Sequence, residues 1–197
     1  GSSSLVAATL AALVRAACGA GGSIPGRSVG DTAGRVWGKL PLLADPNDPG
    51  LLTPQEAALL IDQYELAMAA GYLKRGLNEP ASFELFVRNL APEREWLLAC
   101  GLGPALRLIR ELRFGEAELS YLAERGFGEQ LLGYLKGFRF SGEVEAMPEG
   151  TLAFAGQPLL RVTAPLVEVQ LLETLLLNQV GFQTLIATKA ARIFCST

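Results

Sequence analysis

From Leu51 onward the chain is readable as a succession of hydrophobic periods. Thr53-Pro54-Gln55-Glu56 carries the signs of a helix start: a threonine to cap the free amides, a proline suited to the first turn, and a glutamate placed to close a capping box. Leu59, Leu60, Tyr64, Ala67, Met68 and Gly71 then recur at helical spacing, which predicts a helix from Glu56 to about Leu73, with Gly76 as its stop. Ala81–Val87 alternates and reads as a strand with one well-buried face. Trp96–Cys100 is a second strand expected to pair with it. Three short helices follow, Gly103–Leu112, Glu116–Glu124 and Glu129–Lys136, the first with Leu106, Ile109, Arg110 and Leu112 on one period. The period then changes to two in Arg139–Met147 and Leu152–Val162, joined by a turn at Pro148-Glu149-Gly150, with an interruption expected at Gly156–Pro158. Helix, strands, helices, strands and a last long helix give an α+β order without a repeat of fixed period.

That last helix, Pro165 to Arg192, is apolar on every side. Leu166, Val169, Leu171, Leu172, Leu175, Leu176, Val180, Leu185 and Ile186 do not fit one stripe, so the helix is expected to be surrounded. Each large side chain left in water forfeits about 1.5–3 kcal/mol of burial. The helix is therefore expected to need partners from outside these 197 residues.

Residues 1–50 behave differently. Leu5–Ala17 is an apolar run interrupted by Arg15, with no basic flank to make it a secretory signal and too few residues for a bilayer span, which takes roughly twenty. Gly19–Gly50 is rich in Gly, Pro, Ser and Asp, and reads as a poorly ordered extension or linker.

Composition narrows the function. The chain is 50% hydrophobic with a net charge of −3, a globular balance with no basic footprint for nucleic acid. Cys18, Cys100 and Cys195 show neither metal-ligand spacing nor a disulfide framework, which points to a reducing compartment. There is no histidine, so no Ser-His-Asp triad, Cys-His pair or histidine-ligated metal exists within this chain.

The candidate chemistry is sparse. Thr184, Thr188 and Arg192 fall on one helical stripe, and Lys189 lies one step from Arg192. Two cations beside hydroxyls suit a polyanion, although cations at a helix C-terminus also simply complement the macrodipole. Tyr64 is an aromatic on an amphipathic helix, where a core role is the ordinary one. Glu149 lies in a turn. Glu173 interrupts the apolar helix and is expected to pair with a group outside this chain, such as a buried arginine. Neither carboxylate is assigned to catalysis. Arg139 and Arg161 lie on expected strands, solvated or interfacial.

Several of these segments, in order, resemble one family. Asp62–Gly76 (DQYELAMAAGYLKRG), Ala81–Asn89, Gly137–Thr151 (GFRFSGEVEAMPEGT), Gln157–Val162 and Leu171–Arg192 are similar to the N-terminal portion of nicotinate phosphoribosyltransferases, a resemblance covering roughly Leu51–Arg192. It implies an α+β N-terminal domain over 51–165, and over 166–197 the first long helix of an α/β barrel domain that is otherwise absent. The implied reaction joins nicotinate to phosphoribosyl pyrophosphate, driven by ATP through a phosphohistidine, with Mg²⁺ accompanying the phosphates. Such an enzyme is expected to be a cytoplasmic homodimer, without membrane or nucleic-acid partners. The resemblance places Tyr64 against the nicotinate ring across the dimer interface and Arg192 at the phosphoribosyl pyrophosphate site; Thr188 and Lys189 remain weak phosphate candidates from their helical spacing alone. It assigns no catalytic residue and no metal ligand within this chain. Many relatives have DLYQ where this chain has DQYE, so Glu65 stands at an ordinarily uncharged position. Nicotinamide or quinolinate as the pyridine substrate remains open. So does a non-catalytic truncated product acting as an interaction module. The chain alone is expected to be an inactive N-terminal fragment.

Overall fold

The computed structural model describes residues 52–90 and 95–195, and the first described element begins with the expected capping box. Thr53 Oγ1 accepts from Glu56 N–H, and the Glu56 carboxylate accepts from Thr53 N–H at 2.8 Å. The helix it starts, α1 (Pro54–Ala57), lasts one turn. The single helix expected to Leu73 is in fact two. Ala57 and Ala58 are fully buried, the chain turns there, and Asp62, a favoured N-cap residue, begins α2 (Gln63–Arg75). Gly76, at φ 68°, ends α2 in the left-handed conformation, as expected. The expectations for residues 1–50 lie outside the described residues.

Strand β1 (Pro80–Phe86) forms where alternation placed it, but its inner face is only half-buried. It pairs antiparallel not with the next strand but with β5 (Pro158–Pro165), whose other edge takes β3 (Glu143–Ala146). The order β1-β5-β3 makes β5 the central strand. Ala81, Phe83 and Leu85 face Ala164, Val162 and Leu160, with Val144 and Ala146 beyond, on the side that joins the core. On the opposite side Arg161 bridges Glu84 and Glu145, at 2.5 and 3.6 Å, and Ser82 meets Thr163 at 2.8 Å. The central strand thus carries its charge outward with a partner on each flank, a pairing of exposed groups that adds little stability.

The strand expected at Trp96–Cys100 exists as β2 (Leu97–Leu98), paired with β4 (Leu152–Ala153) in a separate two-stranded sheet. Gly156, at φ 78°, breaks the second expected strand in two, and its halves join different sheets. Pro148–Gly150 is accordingly not a hairpin turn: Gly150 N–H bonds to Ala99 C=O and carries the chain across to β2. Helices α3 (Leu102–Glu111), α4 (Glu116–Glu124) and α5 (Glu129–Lys136) lie where periodicity put them. The stripe that α3 buries is Ala105, Leu108, Ile109 and Leu112, while Arg110 faces water.

After β5 the chain runs directly into α6 (Leu166–Gln170), α7 (Glu173–Leu176), a π-helical turn (Leu177–Gly181) and α8 (Phe182–Cys195). The single long helix of the sequence pattern is therefore a chain of segments. Breaks have a cost, because each restart frees backbone N–H groups that the helix cannot satisfy. Here remote side chains satisfy them. Asn78 Oδ1 accepts from Val167 N–H in α6 at 3.0 Å. Glu65 Oε1 accepts from Thr174 N–H and Oγ1–H in α7, at 3.1 and 2.7 Å. The same device starts α3, where Glu149 Oε1 accepts from Gly101 and Gly103 N–H at 3.1 and 3.0 Å. Glu149 is thus a helix cap reaching across the fold.

Glu65 is fully buried, and its second oxygen, Oε2, has no hydrogen-bond partner. Burial pushes its carboxyl up from 4.5, and the charges of Glu173 and Asp62 add to that, against the lowering effect of Thr174. A carboxyl raised in the folded state loses stability as pH climbs from the unfolded value through the folded one. Glu65→Gln keeps an acceptor for Thr174 without the charge. It is expected to raise the melting temperature at pH 7–8 by about 2–4 °C. The advantage should vanish in thermal scans below the ordinary value of 4.5. A loss of stability confined to pH values above the ordinary 4.5 would show instead that the ionised carboxylate stabilises the fold.

Gly101 supplies a second test. At φ 96° its added Cβ would meet Gln179 O at 2.5 Å. Gly101→Ala is expected to cost about 2–4 kcal/mol in urea unfolding, from left-handed strain plus overpacking. Gly71→Ala, in the interior of α2 with open space around it, should instead stabilise by about 0.5–1 kcal/mol.

Candidate functional site

Tyr64 lies on the first turn of α2, and its side chain is not core. It is 49% exposed, although an aromatic at such a position is ordinarily buried. Its hydroxyl donates to Glu173 Oε1 at 2.8 Å, across 109 residues of sequence. Glu173 Oε2 in turn accepts from the Gln170 side-chain amide at 3.0 Å, and Gln170 is buried. Glu173 thus pairs inside this chain, correcting the expectation of an outside partner. The hydrogen bond to Glu173 pushes the Tyr64 phenol up to about 12; burial and the charges of Glu173, Glu65 and Asp62 act in the same direction. The phenol therefore stays a donor at any physiological pH.

Adjacent residues on each side make this contact double. Tyr64 bonds to Glu173, and Glu65 bonds to Thr174. The result is an aromatic ring tethered at its hydroxyl, with much of its surface left in solvent. Met68, one turn further along α2, is also exposed, at 40%. An exposed ring beside an exposed thioether is an apolar platform for a flat ligand.

Thr184 and Thr188 prove to be structural. Thr184 Oγ1 accepts from Cys100 N–H at 3.1 Å and donates to Cys100 C=O at 3.0 Å. Thr188 Oγ1 accepts from Leu98 N–H at 2.9 Å and donates to Thr184 C=O at 2.6 Å. Strand β2 has β4 on one edge, and the threonines of α8 satisfy the other. The small side chains Ala187 and Ala191 on the same helix face pack with Leu98 and let α8 approach this closely. The Thr188 hydroxyl is buried and its one proton is engaged, so it has none to offer a phosphate oxygen. Arg192 is half-buried at the end of α8, one position past Ala191, and Lys189 is exposed.

The side of the π turn and α8 away from β2 is apolar and open. Leu177, Phe182, Leu185 and Ile186 are exposed by 47–63%. Of the apolar residues expected to be surrounded, Leu171, Leu172, Leu175 and Val180 are buried in the main core, whereas Leu185 and Ile186 are left exposed by the described residues.

Cys100 is chemically quiet. Its thiol donates to Glu149 at 3.4 Å, and burial together with that carboxylate pushes it up to about 12. Among the described residues no group of three or more His, Cys, Asp or Glu could hold a metal ion, and no helix is long and apolar enough to cross a membrane.

Comparison with known proteins gives this arrangement a context. The family profile of the nicotinate phosphoribosyltransferase N-terminal domain matches residues 59–181. A nicotinate phosphoribosyltransferase of Bacillus subtilis is 46% identical over 138 residues, which cover 69% of this chain and 28% of that protein. Nicotinate phosphoribosyltransferase pncB2 of Mycobacterium tuberculosis is 42% identical over 137 residues, 69% of this chain and 30% of the relative. The crystal structure of human nicotinic acid phosphoribosyltransferase superposes with a TM-score of 0.62 at 40% identity, over 68% of this chain and 28% of the human chain. The chain therefore spans less than a third of the curated relatives it matches. The matched range takes in the capless restarts of the helical run, their remote caps, and both halves of the Tyr64–Glu173 contact. By fold and sequence alike, the chain belongs to the nicotinate phosphoribosyltransferase family, of which it carries the N-terminal domain.

Proposed function

We propose that this chain serves nicotinate phosphoribosyl transfer: nicotinate and phosphoribosyl pyrophosphate give nicotinate mononucleotide and pyrophosphate, coupled to ATP, in the synthesis of pyridine nucleotides. The observation that carries the reading is the half-exposed ring of Tyr64, tethered at its hydroxyl within the family's matched range. A flat pyridine ring stacked on it would gain about 0.5–1.5 kcal/mol beyond the area it buries.

The chemistry is displacement at an anomeric carbon with oxocarbenium character. Such a step is accelerated by holding the ring nitrogen in line and by stabilising the departing pyrophosphate. This chain's part is positioning. Tyr64 orients the pyridine ring, and Arg192, with Lys189 beside it, faces phosphate oxygens. Thr188 drops out of that set because its proton is engaged elsewhere. Mg²⁺ would arrive with the phosphates. The phosphorylated histidine and the remaining contacts belong to the barrel domain of the longer enzyme, because this chain has no histidine.

On this reading residues 51–165 are the N-terminal domain and 166–197 lead into the barrel, which covers Leu177, Phe182, Leu185 and Ile186. Each of those side chains gains about 1.5–3 kcal/mol on burial. A homodimer, with Tyr64 serving the partner's site, is part of the same proposal. A cytoplasmic location is part of the same proposal and rests on family membership.

The test is incorporation of labelled nicotinate into its mononucleotide, with phosphoribosyl pyrophosphate, ATP and Mg²⁺. The 197-residue chain is compared with a version continued through its downstream reading frame. Turnover is expected only in the continued version. Turnover by the 197 residues alone would overturn the assignment of the chemistry to the barrel. In the continued enzyme Tyr64→Ala is expected to raise the nicotinate KM roughly 2- to 13-fold, with folding intact because the ring is half in solvent. An unchanged KM would remove the ring-stacking role.

A further inference from the structure

We propose that Glu173 is a positioning residue that fixes the Tyr64 ring for its planar ligand, anchored in turn by the buried Gln170 amide. The inference rests on the nicotinate reading for its ligand, but its geometry stands independently. An exposed tyrosine on a first helical turn ordinarily samples its rotamers freely. Tyr64 does not have that freedom. Its hydroxyl is held at 2.8 Å by Glu173 Oε1, and the second Glu173 oxygen is held at 3.0 Å by Gln170.

Both ends of this relay are rigid. Gln170 is 2% exposed and closes α6; Glu173 opens α7. At the other end, the next residue along, Glu65, is fully buried and caps Thr174. The backbone that carries Tyr64 is therefore pinned to the backbone that carries Glu173. Neither helix can slide without breaking both bonds. The tether fixes where the hydroxyl end of the ring points, and the cap fixes where its backbone lies.

A carboxylate suits this task better than a neutral acceptor. A charged acceptor shortens and strengthens the bond to a phenol. It also keeps the phenol protonated, so the tether does not switch off with pH. The groups facing the phenol, Glu173, Glu65 and Asp62, are all acidic and all act in that direction. Immobilising one side chain before the ligand arrives removes an ordering cost from binding, worth roughly two- to twelvefold in affinity.

The experiment uses the chain with 3-fluorotyrosine at its four tyrosines, followed by fluorine NMR, with the Tyr64 signal assigned through Tyr64→Phe. Fluorine acidifies the phenol, bringing its titration into a range the fold tolerates. In the unsubstituted chain Tyr64 is expected to titrate last. Glu173→Leu should make the phenol roughly tenfold more acidic. Glu173→Gln, which keeps an acceptor and the fold, should lose only part of the pKa elevation. An unchanged Tyr64 titration in both variants, with circular dichroism intact, overturns the proposal. In the continued enzyme Glu173→Leu should raise the nicotinate KM roughly two- to twelvefold with kcat less affected, and add nothing in a Tyr64→Phe background. An equal effect in that background also overturns it. The NMR readout contains no nicotinate, so it stands or falls separately from the substrate reading, which Tyr64→Ala tests.

Discussion

Two neighbouring residues of α2 grip two neighbouring residues of α7, and the arrangement of the candidate site follows from that clasp. Tyr64 donates to Glu173, and Glu65 accepts from Thr174. The clasp exists because the helical run after β5 is broken at Leu171–Leu172. A continuous helix would have satisfied Thr174 N–H internally and left Glu65 nothing to cap. Breaking it creates a donor, and a buried carboxylate answers it. The cost is visible in Glu65 itself, which gives up solvation on both oxygens and recovers hydrogen bonds on one. Stability is given up at this point and a fixed geometry is obtained.

The same logic recurs through the domain. Helices α3, α6 and α7 begin after Gly101, Pro165 and Leu172, none of which supplies a side-chain cap. Each instead takes a cap from a distant segment: Glu149, Asn78 and Glu65. A local cap stabilises a helix wherever the helix goes. A remote cap stabilises it only when two segments are correctly placed, so these contacts specify tertiary position as well as helix ends. The threonines of α8 do comparable work for β2, supplying a second edge of hydrogen bonds to a strand too short to hold itself.

This explains what the sequence revealed and what it hid. Periodicity located α3, α4, α5 and β1 closely, because amphipathic burial is a local pattern, and the Thr53 capping box and the Gly76 stop were legible for the same reason. The pairing of β1 with β5 and of β2 with β4 was not, because partner choice depends on Gly156 turning the chain between sheets. Glu149 looked like an ordinary turn residue, since its donors lie 46 and 48 residues away. Glu173 looked unpaired because its donors, a tyrosine and a glutamine, carry no charge to announce them. The contact of Thr188 with β2 was hidden because i, i+4 spacing shows only that two hydroxyls share a face. The alanines at 187 and 191 were the available signal: small residues on a helix face mean close approach to another backbone.

The charge around Tyr64 constrains how the proposed substrate can lie. Nicotinate carries a carboxylate, and the hydroxyl edge of the platform is occupied by Glu173, with Asp62 and Glu65 close enough to act on the phenol. A carboxylate placed at that edge would meet like charge, at about 4 kcal/mol for a 4 Å approach near a protein surface. That exceeds what stacking returns. On the proposed reading the substrate carboxylate would therefore turn away from the Glu173 edge. The carboxylate that tethers the ring would thus also select which way round the proposed anionic pyridine stacks upon it.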